Sequence, residues 1–356
     1  MKKITFLMAI CFAFQFNLQA QCPVGPPAPG YTCIPDAALE TVLVGLGIDS
    51  VPGDNRILNT EAEARTSYLN FSNAGIADFS GIEAFINLVA IRVSNNPATS
   101  IDLTSNTALV DINASSTNYS SIDLSGNPNL DIINVSYSPN LTSLDLTANT
   151  LLTVVNTEEC NLLDTLDITG LTGLVNVNLL DNNLSTLDVS ANLGLETLIV
   201  RQNELTTLDL SANVALVDLN ARNNLLTDLD MRNGNNANVT SFNSDFNGGL
   251  TCIFVDNTAE PNLATWEIDL NSTFVNDQAE CNTLTVEDSA QNVFNMFPNP
   301  ANNAVFVNVN TQNSQLSIYD ITGKLVLNKS LSLGQNTVDL SQMASGMYIV
   351  RFAVGS

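Results

Sequence analysis

The stretch LVDLNARNNLLTDLDMRN, Leu216 to Asn233, places leucines at Leu216, Leu219, Leu226 and Leu229, with polar residues between them. The same beat recurs along the chain. Triplets reading apolar-Asp-apolar are Ile101-Asp102-Leu103, Ile122-Asp123-Leu124, Leu144-Asp145-Leu146, Leu166-Asp167-Ile168, Leu187-Asp188-Val189, Leu208-Asp209-Leu210 and Leu229-Asp230-Met231, at steps of 21, 22, 22, 21, 21 and 21 residues. A second apolar series, Ile91, Ile112, Ile133, Val155, Val177, Leu198, Leu219 and Phe242, falls about halfway between them. A triplet such as Leu219-Asn220-Ala221 has period two, so its outer residues point one way and Asn220 the other. One unit cannot bury its leucines alone. Units stacked at ~4.8 Å, the spacing of paired strands, build a continuous apolar interior, about 35 Å long for eight units.

One unit reads LxxLxLxxNxLxxLDLxxNxx. A fixed period of about 20 to 29 residues with this pattern resembles the leucine-rich repeat. Because both halves carry an apolar-x-apolar triplet, it resembles the subclass with a nested half-repeat. The expected fold class is mainly β: a leucine-rich-repeat solenoid with a short N-terminal helical cap, a disulfide-tied C-terminal cap and a small C-terminal β-sandwich. Short strands or extended turns are expected on both sides of each unit, with little helix. The ninth position reads Asn96, Thr117, Ser138, Cys160, Asn182, Asn203, Asn224 and Asn247. Such side chains can bond the backbone of their own turn and the next, where no ladder partner exists. Cys160 stands in this column and reads as a buried structural thiol.

The termini set the compartment. Lys2 and Lys3, the apolar run Ile4 to Phe16, and Leu18-Gln19-Ala20 resemble a secretory signal covering residues 1–20. Cys22 follows closely, yet Gln21 is a poor residue before a lipidated cysteine. No other segment is long and apolar enough for a transmembrane helix. Losing Lys2 and Lys3 leaves 9 basic against 36 acidic residues, a balance of −27, and no lysine occurs between Lys3 and Lys324. This charge repels nucleic acid and anionic membranes and suits cations, basic partners or neutral glycans. Histidine is absent, which argues against a zinc site and His-dependent catalysis. Export permits disulfides. Cys252 with Cys281, and Cys22 with Cys33, are the pairs close in sequence.

A terminal unit exposes its core unless it is capped. Residues 21–87 read as the N-terminal segment and cap. Ile34-Pro35-Asp36 opens a helix with Leu39, Val42, Leu43 and Leu46 on one face. Thr60 and Glu63 make a capping-box pair for a second. The solenoid spans 88–247. A cap at 248–282, tied by Cys252 and Cys281, holds Trp266 against the last unit. A polar linker covers 283–294. Beyond it, FPNPA, YDITGK and VDLSQMASGMYIVRF fall in order within short alternating strands. They resemble the type A C-terminal sorting domain of the type IX secretion system over 295–356. The resemblance implies transport across an outer membrane by that machinery, then release or attachment at the surface. Such domains continue past the Gly-x-Tyr strand into a segment with lysines, so this one reads as truncated.

Three surfaces are candidates. The fifth position of each unit, Arg92, Asn113, Asn134, Asn156, Asn178, Ile199, Asn220 and Asn243, reads as an amide ladder, with glycan binding the sharper alternative. Tyr119, Tyr137, Phe242 and Phe246 are the aromatics in the repeats able to stack on a sugar or anchor a partner. The aspartate column, Asp102, Asp123, Asp145, Asp167, Asp188, Asp209 and Asp230, can bond turn N–H groups or gather Ca2+, the one cofactor in view. Arg201 and Arg222 stand at the seventh position of adjacent units, with Ile199, Asp218 and Asn220 beside them; the bland alternative is a solvated pair balanced by Asp218 and Glu204. The loop Val51 to Ile57 reads as a turn.

The expected function is non-enzymatic. The chain is read as an exported binding or adhesion protein that recognises an extracellular protein or glycan through the concave sheet, with Ile199, Arg201, Asp218, Asn220 and Arg222 as its ligand-binding residues. A calcium-loaded structural surface-layer component is the alternative, and a two-carboxylate glycoside hydrolase comes last.

Overall fold

The computed structural model describes residues 29–284, 294–298, 300–309 and 314–354. The expected secretory leader, Cys22 with its expected bond to Cys33, and most of the expected linker lie outside these residues. The chain divides into two compact units, Met1–Cys281 and Asn282–Ser356.

The first unit begins with β1 (Tyr31–Cys33), α1 (Ala37–Gly45), β2 (Arg56–Leu58) and α2 (Asn59–Glu63). Strands β1 and β2 pair antiparallel. Asp36 caps α1: its Oδ1 accepts the N–H groups of Ala38 and Leu39 at 2.8 and 3.0 Å. Its Oδ2 accepts those of Ala77 and Asp78 at 2.8 and 3.0 Å. One carboxylate therefore closes the helix and ties it to the first turn of the solenoid. Leu39 and Leu43 are fully buried. Leu46, expected on the same stripe, is instead 49% exposed. It is the C-cap, and Gly47 in the left-handed region (φ 66°) turns the chain away there. The Thr60–Glu63 capping box does not form. Strand β2 runs directly into α2, so Leu58 occupies the N-cap and no side chain bonds the helix end.

The solenoid follows as β3 (Leu69–Asn70), β4 (Ala90–Arg92), β5 (Asp111–Asn113), β6 (Ile132–Asn134), β7 (Val154–Asn156), β8 (Asn176–Asn178), β9 (Thr197–Ile199), β10 (Thr207–Asp209), β11 (Asp218–Asn220), β12 (Asp228–Asp230) and β13 (Ser241–Asn243). Strands β3 to β9, β11 and β13 form one nine-stranded parallel sheet. It begins one turn before the boundary at residue 88. The register joins like positions of successive units, as in Ile91↔Ile112 and Leu198↔Leu219. Those four side chains have no exposed surface. Each is worth roughly 1.5–3 kcal/mol of burial, obtainable only while the neighbouring unit is in place. On the other side of each unit most aspartate triplets form no strand, with the isolated bridge Asp102↔Asp123. Only near the C-terminal end do they pair as strands, β10 with β12, in a four-stranded parallel sheet completed by β14 (Cys252–Phe254) and β15 (Thr273–Val275).

The ninth-position column is buried throughout. Asn203 Nδ2 donates to the carbonyls of Leu179 and Val200, and its Oδ1 accepts from Leu184 N–H. Asn224 repeats the arrangement one unit on. Thr117 and Ser138 link hydroxyl to hydroxyl. Cys160 donates its thiol to Val135 O at 3.2 Å and is free and buried. A second buried column occupies the other half of the units: Asn106, Asn127, Asn149, Asn192 and Asn213. Each donates to two carbonyls, as Asn192 does to Ile168 and Leu171. Their Oδ1 atoms accept nothing.

The residue before each ninth position adopts the left-handed conformation without being glycine: Asn95, Ser116, Tyr137, Glu159, Asp181, Gln202, Asn223 and Phe246, at φ 54–60°. Such a residue costs of order 1 kcal/mol and persists only where its surroundings fix it. Here the buried ninth-position side chain grips the turn.

The C-terminal cap comprises β14 (Cys252–Phe254), β15 (Thr273–Val275) and α3 (Gln278–Leu284). Cys252 and Cys281 are disulfide-bonded with Cα atoms 5.9 Å apart. Trp266 stacks on Phe242 of β13, ring centroids 4.1 Å apart, and meets Phe274 edge-on at 5.6 Å. The aromatic pair closes the apolar end of the last unit.

The second unit holds β16 (Phe294–Phe297), β17 (Ala304–Val309), β18 (Ser314–Asp320), β19 (Leu325–Leu331), β20 (Gly334–Asp339) and β21 (Tyr348–Val354). They form two three-stranded antiparallel sheets, β16-β17-β20 and β19-β18-β21. Val305, Val307, Leu316, Ile318 and Val338 are buried in its core. Asp320 Oδ1 organises the β18–β19 turn, accepting from Thr322 N–H, the Thr322 hydroxyl and Lys324 N–H.

Candidate binding surface

Within each three-residue strand of the nine-stranded sheet the middle residue is buried and its neighbours are on the open face. The register sets Asp218 beside Thr197 and Asn220 beside Ile199. Two residues on, Gln202 N–H donates to Arg222 O, which holds the Arg201 and Arg222 segments side by side. The structure thus brings Ile199, Arg201, Asp218, Asn220 and Arg222 onto adjoining turns of one face.

Neither arginine is balanced as the bland reading expected. The ion pairs among the described residues are Arg56–Asp54, Arg92–Asp111 and Arg232–Asp230. Asp218 and Glu204 pair with neither Arg201 nor Arg222. Arg201 Nε donates to Gln202 Oε1 at 2.9 Å. The Arg222 guanidinium lies over the ring of Phe246, 4.6 Å from its centroid. Phe246 is 59% exposed and occupies the left-handed turn position of its unit. That turn lifts the ring out of the core and beside the seventh-position arginine of the preceding unit. The Phe246 side chain belongs to this patch although repeat spacing alone did not connect it to Arg222.

Of the other aromatics, Tyr119 and Phe242 are buried and serve the core. Neither can stack on a ligand, because both fill apolar positions of the stack. Tyr137 is exposed; its hydroxyl donates to Glu158 Oε1 at 2.7 Å, and Asn178 Nδ2 donates to Glu158 Oε2.

The amide ladder expected at the fifth position does not form. Asn113, Asn134, Asn156, Asn178, Asn220 and Asn243 each turn Oδ1 along their own chain to accept the N–H two residues on. The strands are three residues long, so that N–H has just left the regular ladder, and the local acceptor outcompetes a neighbouring amide.

The aspartate column behaves likewise. Asp102, Asp123, Asp145, Asp167, Asp188, Asp209 and Asp230 each accept the N–H two residues on. Thr104, Thr147 and Thr169 add hydroxyl bonds to theirs. Hydroxyl donation first, then the backbone bond, holds Asp102, Asp123, Asp145, Asp167 and Asp188 below the usual carboxylate range. One oxygen of each carboxylate is thus bonded to its own turn. The one trio of metal-capable side chains among the described residues lies elsewhere, in the N-terminal cap: Glu40, Asp49 and Asp54.

A continuous stack of short parallel strands with buried asparagine columns and an open sheet face defines a leucine-rich-repeat solenoid. Residues 295–356 match the family described as the secretion system C-terminal sorting domain. The chain is therefore a leucine-rich-repeat protein with a type IX secretion sorting tail, marked for export and for secretion or surface attachment. Among the described residues, no helix is long and apolar enough to cross a membrane. No curated protein matches the sequence. Among solved structures, the chain is similar to the functional domain of InlJ from Listeria monocytogenes, at 24% identity and TM-score 0.49, over 68% of this chain and 60% of that one. It is also similar to the internalin InlF of the same organism, at 17% identity and TM-score 0.47, over 71% of this chain and 80% of that one. A leucine-rich-repeat protein of Leptospira interrogans aligns at 15% identity and TM-score 0.40, over 64% of this chain and 71% of that one.

Proposed function

We propose that this protein is an exported binding or adhesion module that captures an extracellular partner on the open face of its nine-stranded sheet, without chemistry. The observation that carries the reading is the Arg201–Arg222–Phe246 cluster. In a chain of formal net charge −25, two adjacent arginines have no carboxylate partner among the described residues, and one rests on an exposed ring. Arginine and aromatic side chains are the usual anchors of protein interfaces. The rigid sheet fixes their positions before binding, which lowers the entropy cost of association. Ile199 supplies an apolar floor, and Asp218 and Asn220 supply polar groups at the edge. A protein partner with acidic groups fits this set better than a glycan, because Phe246 and Tyr137 are the exposed aromatics of the repeats.

The test compares wild type with Arg201→Ala/Arg222→Ala in a pulldown against surface proteins and on a glycan array. Loss of one bound species in the double variant, with the same melting curve, supports the reading. Equal binding by both proteins rejects the patch.

A further inference from the structure

The loop between α1 and β2 folds back over the helix. Gly47, Gly53 and Asn55 all take the left-handed conformation along it. This brings three carboxylates together at the end of the chain farthest from the arginine patch in sequence. Glu40, on α1, is buried, and its Oε1 accepts the N–H groups of Gly53 and Asn55 at 3.0 and 2.9 Å. Asp54 takes Arg56 Nε at 2.9 Å. Asp49 is only 5% exposed. Its Oδ1 accepts Val51 N–H at 2.9 Å, and its Oδ2 is buried with no hydrogen-bond partner. One oxygen from each carboxylate lies within 4.8 Å of the other two.

A buried carboxylate oxygen without a partner is costly, and more so when the group is ionised. Three carboxylates against one guanidinium leave two negative charges to neutralise. The donors are all oxygen, which selects a hard cation. Three oxygens each about 2.3–2.6 Å from one ion stand no more than about 5 Å apart, as these do. Calcium accepts such irregular sets and completes its shell with carbonyls or water, whereas magnesium demands a tighter octahedron.

We propose that Glu40, Asp49 and Asp54 form a calcium site that locks the N-terminal cap, with Asp49 Oδ2 as its unsatisfied ligand. The ion neutralises the cluster and cross-links α1 to the loop that leads into β2. The aspartate column on the repeats has no part in it: one oxygen of each is held by its own turn, and among the described residues the column brings no three carboxylates together.

The test uses the purified full chain. Calcium titration by calorimetry, and thermal melting in calcium against EGTA, are run on wild type, Asp49→Asn, Asp54→Asn and Asp145→Asn. The asparagine at 49 keeps an acceptor for Val51 N–H, so the loop can close. Wild type is expected to bind calcium with Kd of about 10⁻⁴–10⁻³ M, the range of extracellular modules, and to melt higher in calcium than in EGTA. Asp49→Asn is expected to weaken binding at least about tenfold, to lose the melting shift, and to melt in EGTA no lower than wild type. Asp54→Asn should lose affinity in the same direction, which keeps the test alive if the first variant fails to fold. Asp145→Asn should respond to calcium as wild type does. A wild type indifferent to calcium, unchanged affinity in both cap variants, or a response abolished by Asp145→Asn overturns the proposal.

Discussion

The guanidinium of Arg222 lies over the Phe246 ring, 4.6 Å from its centroid, so a residue of one unit is positioned by a turn of the next. A cation–π contact at an exposed site is worth roughly 0.5–1 kcal/mol. Phe246→Ala should change stability by less than about 1 kcal/mol. If the ring anchors the partner, affinity should fall on the order of 30-fold, about 2 kcal/mol. A double-mutant cycle with Arg222→Ala, read by surface binding, should show losses that are not additive. Full additivity would mean that the contact does not position Arg222 for binding.

The two asparagine columns should differ in cost. Asn203 satisfies two carbonyls and one N–H. Asn192 satisfies two carbonyls and leaves its own Oδ1 unbonded. Asn203→Ala orphans one more buried group, so it should destabilise by about 1–3 kcal/mol more than Asn192→Ala. Denaturant melts of the two variants decide it; equal midpoints and slopes contradict the assignment.

Cys160 should be inert while the solenoid is folded. Burial pushes its thiol up to about 11, and reactivity needs the thiolate. At pH 8, roughly one thiol in a thousand is ionised. A thiol reagent should label it only after denaturant is added, whereas labelling at the free-thiol rate in buffer would mean that the ninth-position column opens.

Closing the Cys252–Cys281 loop, a separation of 29 residues, constrains the unfolded chain by about 3–4 kcal/mol in the loop-entropy treatment. Cys252→Ser/Cys281→Ser should loosen the cap first. Amide exchange should quicken at β14 and β15 before it changes at β4 to β6. Uniform exchange along the whole solenoid would show that the disulfide does not act locally.

Acid should weaken the aspartate turns in a definite window. The folded-state pKa values of Asp102, Asp145 and Asp167 lie below the ordinary value. Their contribution is therefore complete above about pH 4 and is lost as pH falls through the lowered values. Thr104→Val/Thr147→Val/Thr169→Val removes the hydroxyl donors. Its melting temperature should trail wild type at neutral pH, and the gap should narrow as pH falls below about 4. A gap unchanged across the titration removes the hydroxyl bonds as its cause.

Repeat period, interior rungs, the Cys160 column and the capping tryptophan were legible in the sequence, because each follows from spacing or from the need to cover an open end. Even the Asp36 helix start could be read, though its second bond, to the turn at Ala77, could not. Two inferences from residue type failed, for different reasons. The amide ladder of Asn113 to Asn243 lost to the N–H two residues on, which the three-residue strands leave nearest. The Thr60 capping box lost because β2 runs straight into α2, which puts Leu58 at the N-cap and Thr60 inside the helix.

The sequence by itself determined that units of 21 or 22 residues stack, because alternation and period fix which side chains must leave water together. Only the tertiary structure decided that Arg222 meets Phe246, 24 residues away in the chain, and that Glu40, Asp49 and Asp54 converge. Such meetings depend on the pitch of the stack and on left-handed turns, which bring distant side chains within a few ångströms without leaving a periodic trace.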